Sequence, residues 1–393
     1  MILGGLPFLQ LDRTGVALLG AIVLIGIEAV SPEEAATSVH LPTLLLLFSF
    51  MVISAQLRLG GFYPWVTLRL AHLPLSPPAL LAGVAFVSAA LSAVFSNDIV
   101  CLSVAPVLAA ACTGRGLDPV PHLLALACAA NVGSALTLIG NPQNMLIGGA
   151  LGLSFAGYAA EAALPVLLGL VATWAIIARQ ARGRWALNAG AGAQEPRDEA
   201  AAPLDRWQTA KGLLVAGLLL VVFLFSAWPR DVVALAGAGV LLTSRRLHSR
   251  KMLGLVDWEL LVLFTGLFVV NHAFEKTGLP GAFIGDLARA GVDLDRPLPL
   301  FAATLLLSNA VSNVPAVMLL LPAARHAMAG PLLALVSTLA GNLFIVGSIA
   351  NIIVVDAAAR RGVRIDWRSH ARVGVPVTLT TLAIVGACLA ARM

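Results

Sequence analysis

Two short polar stretches carry the side chains best suited to holding an ion: Ser96-Asn97-Asp98 and, 216 positions later, Ser312-Asn313-Val314. Each lies between two apolar runs, with Pro106 and Pro322 at matching places downstream. A second pair repeats the pattern: Gly140-Asn141-Pro142-Gln143-Asn144 stands opposite Gly347-Ser348-Ile349-Ala350-Asn351, preceded by Asn131 and Asn342 respectively. Hydroxyls and amides with one carboxylate suit ion binding, not bond breaking. Asp98 adds proton chemistry, because it can exchange a proton for Na+ or for a conformational change. It can also serve as a helix cap, as can Ser96, Asn97, Ser312 and Asn313, and the two roles coexist.

Catalytic sets are missing. The seven histidines form no HExxH or HxxxH pattern, and Cys101, Cys112, Cys128 and Cys388 show no CxxC spacing. There is no Walker loop and no GxSxG elbow. A membrane-embedded enzyme, the alternative of a different class, would need such a set. Cofactors are therefore not expected, apart from a coupling Na+ or H+.

The elements that position these residues are membrane helices. Hydrophobic residues make up 59% of the chain and charged residues 11%, which excludes a soluble domain. The net charge of +5 would suggest a nucleic-acid partner in a soluble chain, but here the basic residues sit between spans. The opening Met1 to Leu11 lacks a basic n-region, so Gly15 to Val30 reads as a retained span. Full spans are expected near 15–30, 42–57, 155–178, 209–227, 231–244, 257–273 and 369–391. Hairpins are expected at 78–113 and 297–328, and glycine and polar residues interrupt two further spans at 119–150 and 331–359.

Each hairpin arm holds about 16 or 17 residues, about 25 Å of helix against about 30 Å of hydrocarbon. The hairpins are therefore expected to be re-entrant. Irregular backbone survives at that depth only where protein buries it or it lines a wet cavity. Pro142 forces a break beside Asn141, and a broken helix exposes an N-terminus that attracts anions.

Counting Lys and Arg on the two faces gives 18 against 6, with Arg372 inside the last span. That bias places the N-terminus in the cytoplasm and the C-terminus outside. Phe62 to His72 and Leu279 to Ala290 read as interfacial helices, and Phe48 and Phe264 match at the same offset of 216. The order span, interfacial helix, hairpin, broken helix, span thus occurs twice with opposite orientation. The expected fold is an all-α polytopic membrane protein of two inverted-topology repeats. An N-terminal span and external loop (1–40) precede repeat 1 (41–178, tip 95–98, break 140–144). A cytoplasmic linker (179–208) and connecting spans (209–254) lead to repeat 2 (255–393, tip 312–315, break 347–351). Glu161 and Arg372 occupy matching places in the terminal spans and could form a pair or a gate.

FSNDIVCLSVAPVL, NVGSALTLIGNPQNMLI, SNVPAVMLLLP and GSIANIIVV together resemble the ion transporter superfamily, in its arsenite-permease and sodium/proton-antiporter branch. The likeness is strongest to bacterial inner-membrane anion permeases with a citrate-transporter-like domain, and it covers nearly the whole chain. It implies a scaffold and a transport domain, often dimeric, with hairpin tips and broken helices enclosing the site and elevator-like alternating access. Divalent-anion/sodium symporters of the superfamily carry Ser-Asn-Thr at both tips, whereas this chain has Ser-Asn-Asp and Ser-Asn-Val. Arsenite permeases share the Asn-Asp first tip.

The expected function is secondary transport of a small inorganic or organic anion coupled to H+ or Na+, with the bilayer and a second copy as partners and no nucleic acid. Its site draws on Ser96, Asn97, Asp98, Asn131, Gly140, Asn141, Asn144, Ser312, Asn313, Asn342, Gly347, Ser348 and Asn351, with Na+ near Asn97, Asp98 and Asn141. The rival reading is a Na+/H+ antiporter with Asp98 as the cation site.

Overall fold

The computed structural model describes residues 11–187 and 203–392. The Ala- and Gly-rich part of the expected linker, 188–202, lies outside the described residues. Among the described residues nineteen α-helices follow one another: α1 (Arg13–Gly26), α2 (Pro32–Ser38), α3 (Leu41–Leu59), α4 (Phe62–Ala71), α5 (Pro77–Val94), α6 (Asn97–Gly114), α7 (Pro119–Ser134), α8 (Pro142–Ala150), α9 (Phe155–Gln180), α10 (Arg206–Phe225), α11 (Arg230–Leu242), α12 (Ser249–Leu253), α13 (Trp258–Lys276), α14 (Leu279–Arg289), α15 (Pro297–Val311), α16 (Asn313–Leu320), α17 (Ala329–Ala340), α18 (Ile349–Ala359) and α19 (Trp367–Ala390). Seven of them are long and apolar enough to cross a membrane by length and composition. These include both arms of the first hairpin, α5 and α6, at 18 residues each, slightly longer than expected.

Helices α3 to α9 recur as α13 to α19 in the same order. The relation begins earlier than Leu41. The first residues of α1, α2, α3 and α4 all lie 217 positions before those of α11, α12, α13 and α14. RTGVALLGAIVL from Arg13 and RDVVALAGAGVL from Arg230 are identical at eight positions. We infer that each repeat starts at this helix, leaving α10 as the connector. The first helices are exchanged: α1 packs on α13, and α11 packs on α3. At one end of the first of these pairs, Lys276 of α13 bridges Glu34 of α2 at 2.8 Å.

The two broken helices form the centre. All twelve residues of α17 and nearly all of α7 are buried, so these are core helices and not lipid-facing ones. Both interruptions lie upstream of where the sequence placed them, at 135–141 and 341–348. The reason for the first is that Pro142 occupies the first turn of α8, where its fixed φ and missing N–H are tolerated, so it starts that helix. The second interruption contains a 3-10 turn, Ile345–Gly347.

Helix α4 buries one face, with Tyr63 fully buried and its ring edge-on to Phe95, while Trp65 and Arg69 on the other face stay exposed. Its counterpart α14 does lie outside the core, with no buried residue. Glu161 and Arg372 do not pair. Gln180 Nε2 donates to the Arg372 carbonyl at 2.8 Å, so the end of α9 adjoins the start of α19. Glu161 then lies about 28 Å further along α9. Matching positions of inverted repeats fall at opposite ends.

Candidate functional site

The hairpin tips are short. Phe95 and Ser96 separate α5 from α6, and Ser312 alone separates α15 from α16. Ser312 has φ 81 and ψ 158, a region that disfavours any side chain, so hairpin 2 turns through a strained residue. Ser96 has an ordinary extended backbone at φ −52 and ψ 133.

Both tips reach one cavity of about 70 Å³. Four helix N-termini converge on it: Asn97 and Asp98 open α6, Pro142 and Gln143 open α8, Ser312 and Asn313 precede and open α16, and Gly347 and Ser348 lead into α18. The opposite wall is apolar, from Leu260, Leu263, Phe264 and Leu267 in the first half of α13. Arg13, from the start of α1, completes the lining, and its Nη2 donates to the Val346 carbonyl at 3.5 Å. Helix N-termini carry partial positive charge and free N–H groups, so this is an electropositive pocket with the Asp98 acid in it.

Of the thirteen residues expected at the site, Asn97, Asp98, Ser312, Asn313, Gly347 and Ser348 line the cavity. Ser96 is buried in the tip just behind them. The others brace it from within the protein. Asn131 is the hub. Its Oδ1 accepts from Asn97 Nδ2 at 2.8 Å and from Ser348 Oγ at 3.0 Å. Its Nδ2 donates to Asn342 Oδ1 at 2.8 Å and to Asn351 Oδ1 at 3.2 Å. Repeat-related Asn131 and Asn342 thus bond directly to each other, and one amide ties the first tip to the second break. Asn351 Nδ2 donates to the carbonyls of Gly341 and Phe344, holding the interruption between α17 and α18 in shape.

On the other side, Asn141 Oδ1 accepts from the Asn144 N–H at 2.9 Å, capping α8, and its Nδ2 donates to Ser134 and Thr338 at 3.1 Å each. Asn144 Nδ2 donates to the Thr137 carbonyl and to Tyr158. Gly140 accepts from the Asn97 N–H at 3.3 Å. A Cβ there would lie 2.2 Å from the Ser134 carbonyl oxygen, so only glycine fits.

Among the three residues expected to hold Na+, Asn97 has a buried side-chain oxygen with no hydrogen-bond partner, whereas the Asn141 oxygen is committed to its own helix. No cluster of three His, Cys, Asp or Glu occurs among the described residues. Arg13, Gln143, Thr338 and His370, whose Nε2 meets the Asn342 carbonyl at 3.1 Å, were not expected at the site. The equivalence of Arg13 and Arg230 was the available signal for the first of them.

Replacing the hub tests how far the two repeats depend on it. Asn131→Ala strands two buried donors and two acceptors, of which entering water can satisfy part. The expected loss is about 2 kcal/mol of stability, read as a lower melting temperature of the detergent-solubilised protein. An unchanged melting temperature would show that the hydrogen bonds through Asn131 do not hold the halves together.

Comparison with known proteins gives a consistent picture. Residues 2–340 match the family model described as citrate transporter. A 46 kDa membrane protein of Mycobacterium leprae is 30% identical, over 96% of this chain and 93% of its own length. A silicon efflux transporter of Oryza sativa subsp. japonica is 31% identical over 96% of this chain and 92% of its own. The crystal structure of the YdaH transporter of Alcanivorax borkumensis, described as having an unusual topology, superposes with a TM-score of 0.59 at 12% identity, covering 96% of this chain and 97% of that one.

Proposed function

The chain belongs to the citrate transporter family, within the ion transporter superfamily, and from that membership we propose that it is a secondary active transporter of a small anion, coupled to H+ or Na+. The observation that carries the reading is the convergence of four helix N-termini, with Arg13, on one cavity that holds the Asp98 carboxylate. Such a pocket favours an anion and makes the acid costly unless it titrates or meets a cation. Its size favours a compact anion. A cavity of about 70 Å³ holds on the order of five waters, which suits a tetrahedral oxyanion or a short carboxylate better than a tricarboxylate. The test is flux in proteoliposomes. Uptake of a labelled oxyanion or short carboxylate driven by a pH or Na+ gradient supports the reading. Cation exchange that proceeds without any added anion would instead establish the antiporter.

Alternating access is supported by the two repeat-related arginines. Arg13 donates to Val346 within the second break, while Arg230 Nη2 donates to the Gly148 carbonyl, well past the first, at 3.0 Å. With the N-caps Asn141 and Ser348 aligned, Val346 corresponds to Ile139 and Gly148 to Val355. Equivalent arginines therefore grip non-equivalent positions, as expected of one state of an asymmetric cycle. Exchanging the two arrangements moves Arg13 toward Val355 and Arg230 toward Ile139. With the N-terminus cytoplasmic, Arg13 and the first half of α13 lie toward the inner face, so we read the present state as inward-facing.

Two double-cysteine variants check this in a background without the native cysteines. Arg13→Cys with Val346→Cys should be bridged by a bifunctional maleimide in the inward state. Arg13→Cys with Val355→Cys should be bridged only during turnover, and either bridge should stop flux. Equal bridging of both pairs at rest would count against the exchange.

A further inference from the structure

The N-terminus of α18 is open where its repeat counterpart is closed. Asn141 folds its side chain onto the Asn144 N–H and so closes α8. Ser348, in the same capping position of α18, makes no such bond because its hydroxyl is given to Asn131. The first-turn N–H groups of α18 then need another acceptor. The acid nearest that end comes from the other repeat: Asp98, in the first turn of α6, lines the same small cavity as Ser348 and Ile349. Beside it, the Asn97 side chain is more than nine-tenths buried, lines the cavity, and keeps one oxygen without a partner. Arg13 faces the same space from α1.

We propose that Asp98 is a tethered occupant of the anion subsite at the α18 N-terminus, and that a free anion takes its place only once that carboxylate is neutralised by a proton. The proposal rests on the anion-transport reading and deepens it. An ionised Asp98 and a bound oxyanion or carboxylate would be like charges competing for the same N–H donors. The protonated acid has no such quarrel with the anion, and its O–H has an acceptor waiting in the unpartnered oxygen of Asn97. Proton and anion then load together, and the empty carrier returns with its own carboxylate in the subsite.

The other groups that bear on Asp98 are few. Asp257 acts on it from the N-cap of α13, where its carboxylate already accepts from the Leu260 N–H. Arg13 lies across the cavity on α1. Cys101 and Cys112 lie on α6 itself, and the helices packed with it also carry Cys128 and His122 on α7, Tyr63 and Arg69 on α4, Arg58 on α3 and Asp356 on α18. Asp257→Asn therefore serves as the control for a general electrostatic effect.

The test is equilibrium binding of sulfate, nitrate, acetate or citrate to the purified protein, measured calorimetrically in buffers of different protonation enthalpy. The expected result is uptake of about one proton per anion bound, with wild-type affinity falling about tenfold per pH unit in alkaline solution. Asp98→Asn should bind the same anion with no linked proton and no such slope, while Asp257→Asn keeps both. Zero proton uptake by the wild type, which needs no variant to measure, overturns the inference and leaves anion transport standing. So does an Asp98→Asn protein that retains the wild-type slope. If none of the four anions binds the wild type at any pH, the transport reading itself fails and takes this inference with it.

Discussion

Asp98→Asn is expected to reach the membrane folded and to lose uphill transport. Asparagine has the shape of the acid, suits the first turn of α6 and keeps an amide oxygen in the same cavity. What it cannot do is change charge. In a proteoliposome with an imposed pH gradient, the anion should equilibrate without accumulating. With one proton per anion, each pH unit imposed can drive about tenfold accumulation in the wild type, so over a gradient of one to two units the accumulation ratio should fall by roughly one to two orders of magnitude in the variant. Downhill exchange is expected to survive, which separates loss of coupling from loss of binding. If the variant shows wild-type accumulation with wild-type pH dependence, Asp98 has no part in the mechanism.

The hairpins and breaks are legible in the sequence because it states them twice. Asn131 and Asn342 pair by the repeat across 211 positions, and in the folded protein they share a hydrogen bond. What stays hidden is whatever breaks the symmetry. Asn141 and Ser348 are both good N-cap residues, so nothing local distinguishes them. Only the packing decides that one caps its own helix and the other bonds to Asn131. The strain at Ser312 is of the same kind, since the equivalent Ser96 is relaxed.

Arg13 is obscure for a different reason. Charge counting treats every arginine near a span end as a solvated topology marker, whereas α1 has only 14 residues, about 21 Å of helix, and its first turn reaches the cavity. The match of Arg13–Leu24 to Arg230–Leu241 is present in the sequence at an offset of 217. It lies outside the motif-bearing region, and its two helices carry no polar tip or break that would mark them as part of a site.

Gly133→Ala is expected to be among the costliest single methyls that could be placed in the core. Gly133 sits on α7 against α5, the most closely associated pair of helices among the described residues. A Cβ there would lie 2.3 Å from both the Cα and the carbonyl oxygen of Ala89. Neither atom belongs to a side chain that can rotate away, so the helices must separate. Overpacking of this kind costs typically 1–3 kcal/mol, and with backbone on the opposing side the expected value is about 3 kcal/mol. Small residues are how membrane helices approach closely, so no compensating contact replaces the lost packing.

The displacement should also reach function. Asn131 and Ser134 ride on the same stretch of α7, and the Asn97–Asn131 bond ties that stretch to the tip that α5 leads into. Gly217→Ala is the matched control. It lies on α10 with nothing within 4 Å of the added methyl, and there alanine's helix propensity predicts a neutral or slightly stabilising change. A thermal melt of the two variants beside the wild type decides the matter. Equal melting temperatures for all three would mean that α5 and α7 are not held as closely as these contacts require, and the hairpin would then be free to move against the broken helix that positions its tip.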